Sequence, residues 1–139
     1  MNRPIPKKVL FLCLGNCCRS QMAEGFAIRY GSDVLKAESA GLVPAGIVVN
    51  ETVRTMAEKN IDISAHYSKG FSPARAKDYD LVVNMSGLSL PNGVGVPVVQ
   101  WDVPDPIGQC ETVYAQVRDQ IENLVMNLVL DLRRQRTKT

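Results

Sequence analysis

The chain has 139 residues, enough for one domain built on a single hydrophobic core. Its net charge of +2 is too small to argue for nucleic-acid binding, and its 45% hydrophobic and 22% charged content is ordinary for a globular protein. No stretch carries the roughly 20 unbroken apolar residues of a membrane span, and the polar, proline-bearing residues 1–8 leave no room for a secretory segment, so the reading is a cytoplasmic, membrane-free protein with one domain over 1–139.

In chain order, residues 1–7 read as a short arm and Val9-Leu10-Phe11-Leu12 as the heart of a buried strand over 8–13. Gly15 permits backbone angles closed to other residues, and Asn16 tolerates the left-handed region, so 14–19 is a tight loop. A helix follows over 20–31. Its Met22, Ala23, Phe26, Ala27 and Tyr30 recur at three- and four-residue steps, as one buried face requires. A second strand over 34–39 closes at Ala40-Gly41, and 42–48 is a loop. Asn50 is the expected cap of a helix over 51–60, with Val53, Met56 and Ala57 facing inward. Ile61 and Ile63 enter the core on an extended link. Ser72-Pro73 opens a short helix ending near Lys77, serine as cap and proline at the first position.

A third strand over 80–85 is apolar without alternation, the pattern of a sheet covered on both faces. Residues 86–94 read as a loop and 95–99 as a fourth strand, placed at an edge because Pro97 has no N–H to donate. Trp101 to Gln109 is a loop carrying Asp102 and Asp105. The last helix spans 110–134 with a stripe of Val113, Val117, Ile121, Leu124, Leu128 and Leu132, widened by Val125 and Val129. Arg133, Arg134, Arg136 and Lys138 form a solvated charged end. Alternating strands and helices imply a three-layer α/β fold. Its parallel sheet would have flavodoxin-like order 2-1-3-4 and helices on both faces. Cys13 would then sit at the carboxyl end of a central strand, beside the switch point where such sheets bind ligands.

That placement points to chemistry. A helix N-terminus offers unpaired N–H groups and partial positive charge to an oxyanion. Cys13 ends the strand and Arg19 opens the helix, so a thiol, the N–H groups of Leu14, Gly15, Asn16, Cys17, Cys18 and Arg19, and a guanidinium converge. A free thiol ionises near ~8.5, and such surroundings can bring it to about 3.5–7.5. Cys13 is therefore the candidate nucleophile, and Arg19 the bidentate partner of two phosphoryl oxygens. Three of the four cysteines lie within residues 13–18 and Cys110 stands apart, which suggests reactive thiols and no disulfide framework. No grouping of His, Cys, Asp and Glu has metal-ligand spacing, so neither a metal nor a cofactor is expected.

The run Cys13-Leu14-Gly15-Asn16-Cys17-Cys18-Arg19-Ser20 resembles the phosphate-binding loop of the low-molecular-weight protein-tyrosine phosphatases, shared by the thioredoxin-coupled arsenate reductases. The likeness continues through Glu38-Ser39-Ala40-Gly41, Ile61 to His66, Tyr79 to Val83 and Asp105-Pro106. It implies the family's phosphatase I fold, with Asp105 as general acid and then base, Asp102 remaining a nearby competitor. It also implies that Asn16, Ser20, Ser39 and His66 brace the loop, with Ser20 donating to the thiolate. Cys18 matches a second loop cysteine able to trap an oxidised Cys13 as a disulfide. Cys17 is atypical, and whether it or Cys18 resolves such oxidation, or both merely pack, stays open.

Two activities follow from the resemblance. A phosphatase would hydrolyse phosphomonoesters, protein phosphotyrosine foremost, through a phosphocysteine, and would hold phosphate, sulfate or arsenate in its loop. An arsenate reductase needs relay thiols after the third strand. Ser20 to Gly25 is closer to the reductase branch, since the phosphatases usually carry proline at 21. Yet Ser86 stands where the first relay cysteine belongs, and no cysteine lies in 87–99. The phosphatase reading is preferred. Ile107-Gly108 follow Asp-Pro where phosphatases carry tyrosines, leaving Trp101 or Tyr67 as alternatives for an aromatic slot. A non-enzymatic anion or redox sensor is a third reading, opposed by the joint presence of Cys13, Arg19 and Asp105.

Overall fold

The computed structural model describes residues 5–90 and 94–137, with side chains to 136. Strands β1 (Lys7–Cys13), β2 (Leu35–Gly41), β3 (Leu81–Asn84) and β4 (Val98–Gln100) pair in parallel in the order β2-β1-β3-β4. Helices α1 (Arg19–Gly31), α2 (Asn50–Ala57) and α3 (Glu111–Thr137) alternate with them, and a 3-10 helix spans Pro73–Asp78. This is the α/β order the sequence implies. Parts of the expected arm (residues 1–4), of the loop over 86–94 (residues 91–93) and of the charged end (Lys138) lie outside the described residues.

The sheet is covered on both sides. Val9, Phe11 and Cys13 of β1 point to one face, where Met22, Ala23, Phe26 and Ala27 of α1 are fully buried with Ile121, Val125 and Val129 of α3. Burying a side chain such as Phe11 or Phe26 contributes about 1.5–3 kcal/mol each. Leu10 and Leu12, the alternate residues of β1, join Ala40 and Val82 on the other face, against Phe71 and Tyr79 at the ends of the 3-10 helix segment. Helical cover therefore comes from α-helices on one side and the 3-10 helix on the other.

Several element-level expectations are corrected. Asn50 is the first residue of α2 and does not cap it; Val49 is the extended cap and no side chain bonds there. The inward face of α2 is Thr52, Thr55 and Met56, while Ala57 is exposed. Thr52 points inward because its hydroxyl has an acceptor there, the Cys17 carbonyl. Ser72 precedes Pro73 as expected but makes no side-chain cap. The fourth strand is shorter and later than 95–99. Pro97 lies just before it and contributes only its carbonyl, which accepts the Val82 N–H at 3.0 Å. In α3 the buried line runs Tyr114, Val117, Ile121, Val125 and Val129, with Val113, Leu124, Leu128 and Leu132 half-buried beside it.

The long helix is tied at one end by side chains and begins at the other on a local backbone bond. Arg133 near its C-terminus grips Asp33, at the α1–β2 corner, through two hydrogen bonds of 2.9 and 3.0 Å. That arginine pair holds the Asp33 carboxyl at about 2, below its ordinary range. At the other end Cys110 caps α3 with its carbonyl, which accepts the Val113 N–H at 3.0 Å. The loop over residues 101–109 is held at the carboxyl end of the sheet by the Trp101 N–H, which donates to Asn84 O at 3.0 Å, and by Val103 O, which accepts from Arg19.

Candidate active site

Strand β1 is central, and its last residue, Cys13, is buried at the carboxyl end of the sheet. The chain then wraps through residues 14–18 and enters α1 at Arg19. The residue in the left-handed region is Asn16, with φ 49°, and not Gly15. What Gly15 supplies is room: a Cβ there would meet the Cys17 Sγ at 3.0 Å.

The carbonyls of the loop are all turned outward and bonded. Cys13 O accepts the Leu42 N–H at 3.1 Å, Leu14 O the Val43 N–H at 2.8 Å, and Gly15 O the Ala45 N–H at 2.9 Å. Gly15 O also accepts the Ser68 hydroxyl at 3.0 Å. Cys17 O accepts the Val49 N–H and the Thr52 hydroxyl, each at 3.2 Å. Asn16 O accepts the Gln21 amide at 3.2 Å. In a planar trans peptide the N–H points opposite to the C=O. The N–H groups of residues 14–18 therefore face the loop interior, and among the described residues they meet no protein acceptor beyond the contact of the Cys17 N–H with its own thiol. A concave ring of unpaired donors over a thiol is an anion site by construction.

The polar network behind the loop fixes its own directions. Lys69 donates its backbone N–H to Asn16 Oδ1 at 2.8 Å, and a backbone N–H can only donate. The other end of that amide, Nδ2, therefore donates to Ser20 Oγ at 2.7 Å. Ser20 Oγ then has its proton free for Cys13 Sγ, 3.0 Å away, and is the donor when that sulfur is a thiolate. Gln21 Nε2 donates to Asn16 Oδ1 at 3.0 Å and to Tyr67 O at 3.0 Å, so Gln21 Oε1 faces His66 Nδ1 at 3.0 Å. His66 must carry its proton on Nδ1 to complete the chain. Ser39 is a step further out: its hydroxyl donates to Glu24, whose other carboxylate oxygen lies 3.9 Å from His66 Nδ1.

Arg19 is buried and strongly tied. Its Nη1 donates to Met85 O at 2.5 Å and Val103 O at 3.1 Å, beyond β3 and in the 101–109 loop. Its Nη2 lies 3.7 Å from Asp105 Oδ2. The Nε–Nη2 edge, the bidentate edge of a guanidinium, is not committed to carbonyls. Asp105 is half exposed, and its other oxygen accepts the Ile107 N–H at 3.0 Å. Asp102, the competitor, lines a cleft of about 450 Å³ together with Arg19, Leu88 and Trp101, but it makes no ion pair with Arg19.

Of the other loop thiols, Cys18 is buried, and burial pushes it up to about 12, so it stays protonated. Cys17 is half-buried, and burial followed by the neighbouring Cys13 and Asp105 charges also raises it. Cys110 is exposed at the start of α3. Ser86 turns its hydroxyl to Asn84 Oδ1 at 2.6 Å, closing the turn after β3. Of the two candidates for an aromatic slot, Trp101 packs against Phe11 with ring centroids 5.8 Å apart, and Tyr67 is exposed beneath the Lys69 ammonium. Among the described residues, no three His, Cys, Asp or Glu groups are arranged to hold a metal ion.

Comparison with known proteins fits this architecture. The sequence profile of the low molecular weight phosphotyrosine protein phosphatases matches residues 8–92, from β1 through the loop after β3. The chain belongs to that family. Within it, the chain is similar to a glutaredoxin arsenate reductase of Synechocystis, 38% identical over 127 residues that cover 88% of this chain and 96% of the relative. An arsenate reductase of Staphylococcus aureus is 34% identical over 125 residues, covering 87% and 95%. Among solved structures, an arsenate reductase in a phosphate-binding state superposes with a TM-score of 0.84 at 37% identity, covering 91% of this chain and 98% of that one. An arginine phosphatase from Geobacillus stearothermophilus shares the fold, with a TM-score of 0.86 at 23% identity over 96% and 97% of the chains. The family thus takes in proteins named as phosphatases and proteins named as arsenate reductases.

Sequence reasoning missed Gln21, which used only its position to choose between branches. It falls off the three- and four-residue rhythm of α1, yet it is fully buried. A glutamine in the first turn after a glycine-bearing loop is the signal the sequence offers. Glu24, Ser68 and the Lys69 N–H were also missed, because their partners lie 15 to 53 residues away.

Proposed function

We propose that this protein is a cysteine-dependent phosphatase acting on phosphomonoesters, with protein phosphotyrosine the first substrate to test. The observation that carries the reading is the Asp105 carboxylate beside the Arg19 guanidinium at the mouth of the Cys13 loop. Cys13 as thiolate attacks phosphorus while Arg19 and the loop N–H groups hold the equatorial oxygens. The bond from phosphorus to the ester oxygen breaks, and that oxygen takes a proton from Asp105. Water then attacks the phosphocysteine, giving its proton to Asp105. The S–P bond breaks and the returning thiolate receives the Ser20 hydrogen bond.

Arsenate reduction is the second reading, favoured by the 38% and 34% identities to proteins of that name. It requires two thiols to supply two electrons to arsenic. With serine at 86, Cys18 buried and Cys110 at the start of α3, the second thiol would come from the half-buried Cys17 or from another molecule, such as glutathione or a glutaredoxin. A side-by-side assay separates the two. Aryl phosphate hydrolysis well above arsenate turnover, with thioredoxin or glutathione plus glutaredoxin supplied, supports the phosphatase; efficient arsenate reduction with feeble hydrolysis reverses the order.

A further inference from the structure

We propose that Gln21 is a positioning residue for the oxyanion cradle: it holds the Asn16–Cys17 peptide so that the Cys17 N–H faces the anion. The proposal rests on reading this loop as an oxyanion site. Four of the five loop carbonyls, those of Cys13, Leu14, Gly15 and Cys17, are anchored by backbone N–H groups of residues 42–49. These anchors survive any side-chain change. Among the described residues, the fifth, Asn16 O, has only the Gln21 amide at 3.2 Å. Asn16 is also the loop residue in the left-handed region, a conformation that a non-glycine residue keeps only while its surroundings hold it.

Gln21 is well placed to act as a fixed strut. It is fully buried. Its nitrogen shares two N–H groups among three acceptors, one N–H reaching Tyr67 O and the other forked between Asn16 O and Asn16 Oδ1, and its oxygen is held by His66 Nδ1 at 3.0 Å. One side chain thus ties the first turn of α1 to the loop on one side and to the 66–67 segment on the other. Without it, Asn16 O is a buried acceptor with no donor, a state that a buried peptide avoids. The relief open to the peptide is to rotate. Rotation turns a carbonyl toward the bound anion and removes one N–H from the cradle.

The probe is inorganic phosphate, and the readouts are its dissociation constant and the backbone amide spectrum of the full-length 15N-labelled protein. In the parent, saturating phosphate should move the amide signals of residues 14–18, Cys17 included. In Gln21→Met, which keeps the size and removes every hydrogen bond, the Cys17 response should vanish while the Gly15 and Cys18 responses remain. The phosphate dissociation constant should rise about 10-fold or more, the scale of a lost charge-assisted donor. Gln21→Glu, which keeps size and polarity but donates nothing when ionised, should behave alike. Unchanged phosphate affinity in a folded variant overturns the proposal, because a role in folding alone would lower only thermal stability. If neither variant folds, the parent decides: a silent Cys17 amide among responding neighbours also overturns it. A parent in which no loop amide responds and no phosphate binds refutes the oxyanion reading itself.

Discussion

Asp105 Oδ2 lies 3.7 Å from Arg19 Nη2, so the guanidinium expected to hold the anion also holds the carboxylate expected to protonate the leaving group. The pairing explains how a half-exposed loop residue keeps station over the site. It also ranks the two aspartates, since among the described residues Asp102 presents only its backbone carbonyl to a partner, the Gln120 amide at 2.9 Å. Asp105→Asn should lower the hydrolysis of a poor leaving group, such as an alkyl phosphate, by about 100-fold or more, the usual scale of general acid catalysis. An activated aryl phosphate should suffer far less. The check is kcat for both substrates in Asp105→Asn and Asp102→Asn; the larger leaving-group dependence in Asp102→Asn would move the acid there.

Gly41, the last residue of β2, is pressed against the loop. A Cβ at that position would stand 2.7 Å from Asn16 N, 2.8 Å from Gly15 C and 2.8 Å from Leu14 O. All three are backbone atoms of the cradle. The strand cannot retreat, because Gly41 N–H donates to Lys69 O at 2.8 Å and Gly41 O accepts the Phe71 N–H at 2.9 Å. Gly41→Ala should therefore cost about 1–3 kcal/mol of stability, the usual range for overpacking. Its kcat/KM should fall by at least 10-fold, since the strain lands on the donors themselves. Thermal denaturation and steady-state kinetics on the same preparation check both numbers.

The architecture was legible because its signal is local. An unbroken apolar strand, a glycine-bearing loop and an amphipathic helix recur along the chain, and connections of this kind pack into one parallel sheet. Cys13 and Arg19 are six residues apart on that local signal, which is why their convergence could be anticipated. What eluded the sequence is the set of partners that only the fold brings together. Arg19 reaches Met85 and Val103, and Gln21 reaches Tyr67, across 46 to 84 residues. Thr52 and Thr55 of α2 face inward beside Met56, and the Thr52 hydroxyl finds its acceptor there, the Cys17 carbonyl, 35 residues away in the chain. Asn50 illustrates the converse. Its type suits a cap, but the chain enters the helix through Val49, whose carbonyl accepts the Thr52 N–H at 3.0 Å.

Stability should fall on the alkaline side. Burial pushes the Cys18 thiol from its ordinary 9.0 up to about 12, and the Tyr79 and Tyr114 hydroxyls from 10.0 up to about 12. The folded protein thus keeps protons that the unfolded chain releases. Stability is then fully present below pH 9 and is lost as pH rises from there toward 12. Denaturant midpoints measured from pH 7 to 11 should decline in that upper window. Cys18→Ala should flatten part of the decline; an unchanged profile would show that the buried thiol contributes nothing to it.

The central claim is that the sulfur of Cys13 takes the phosphoryl group directly. Rapid acid quench of the parent enzyme during turnover of a labelled aryl phosphate, followed by peptide mapping, tests it most directly. The account predicts label on the peptide bearing Cys13, accumulation of that label when Asp105 is changed to Asn, and neither label nor turnover in Cys13→Ser. Sustained hydrolysis in Cys13→Ser, or turnover with no label on that peptide, would contradict it.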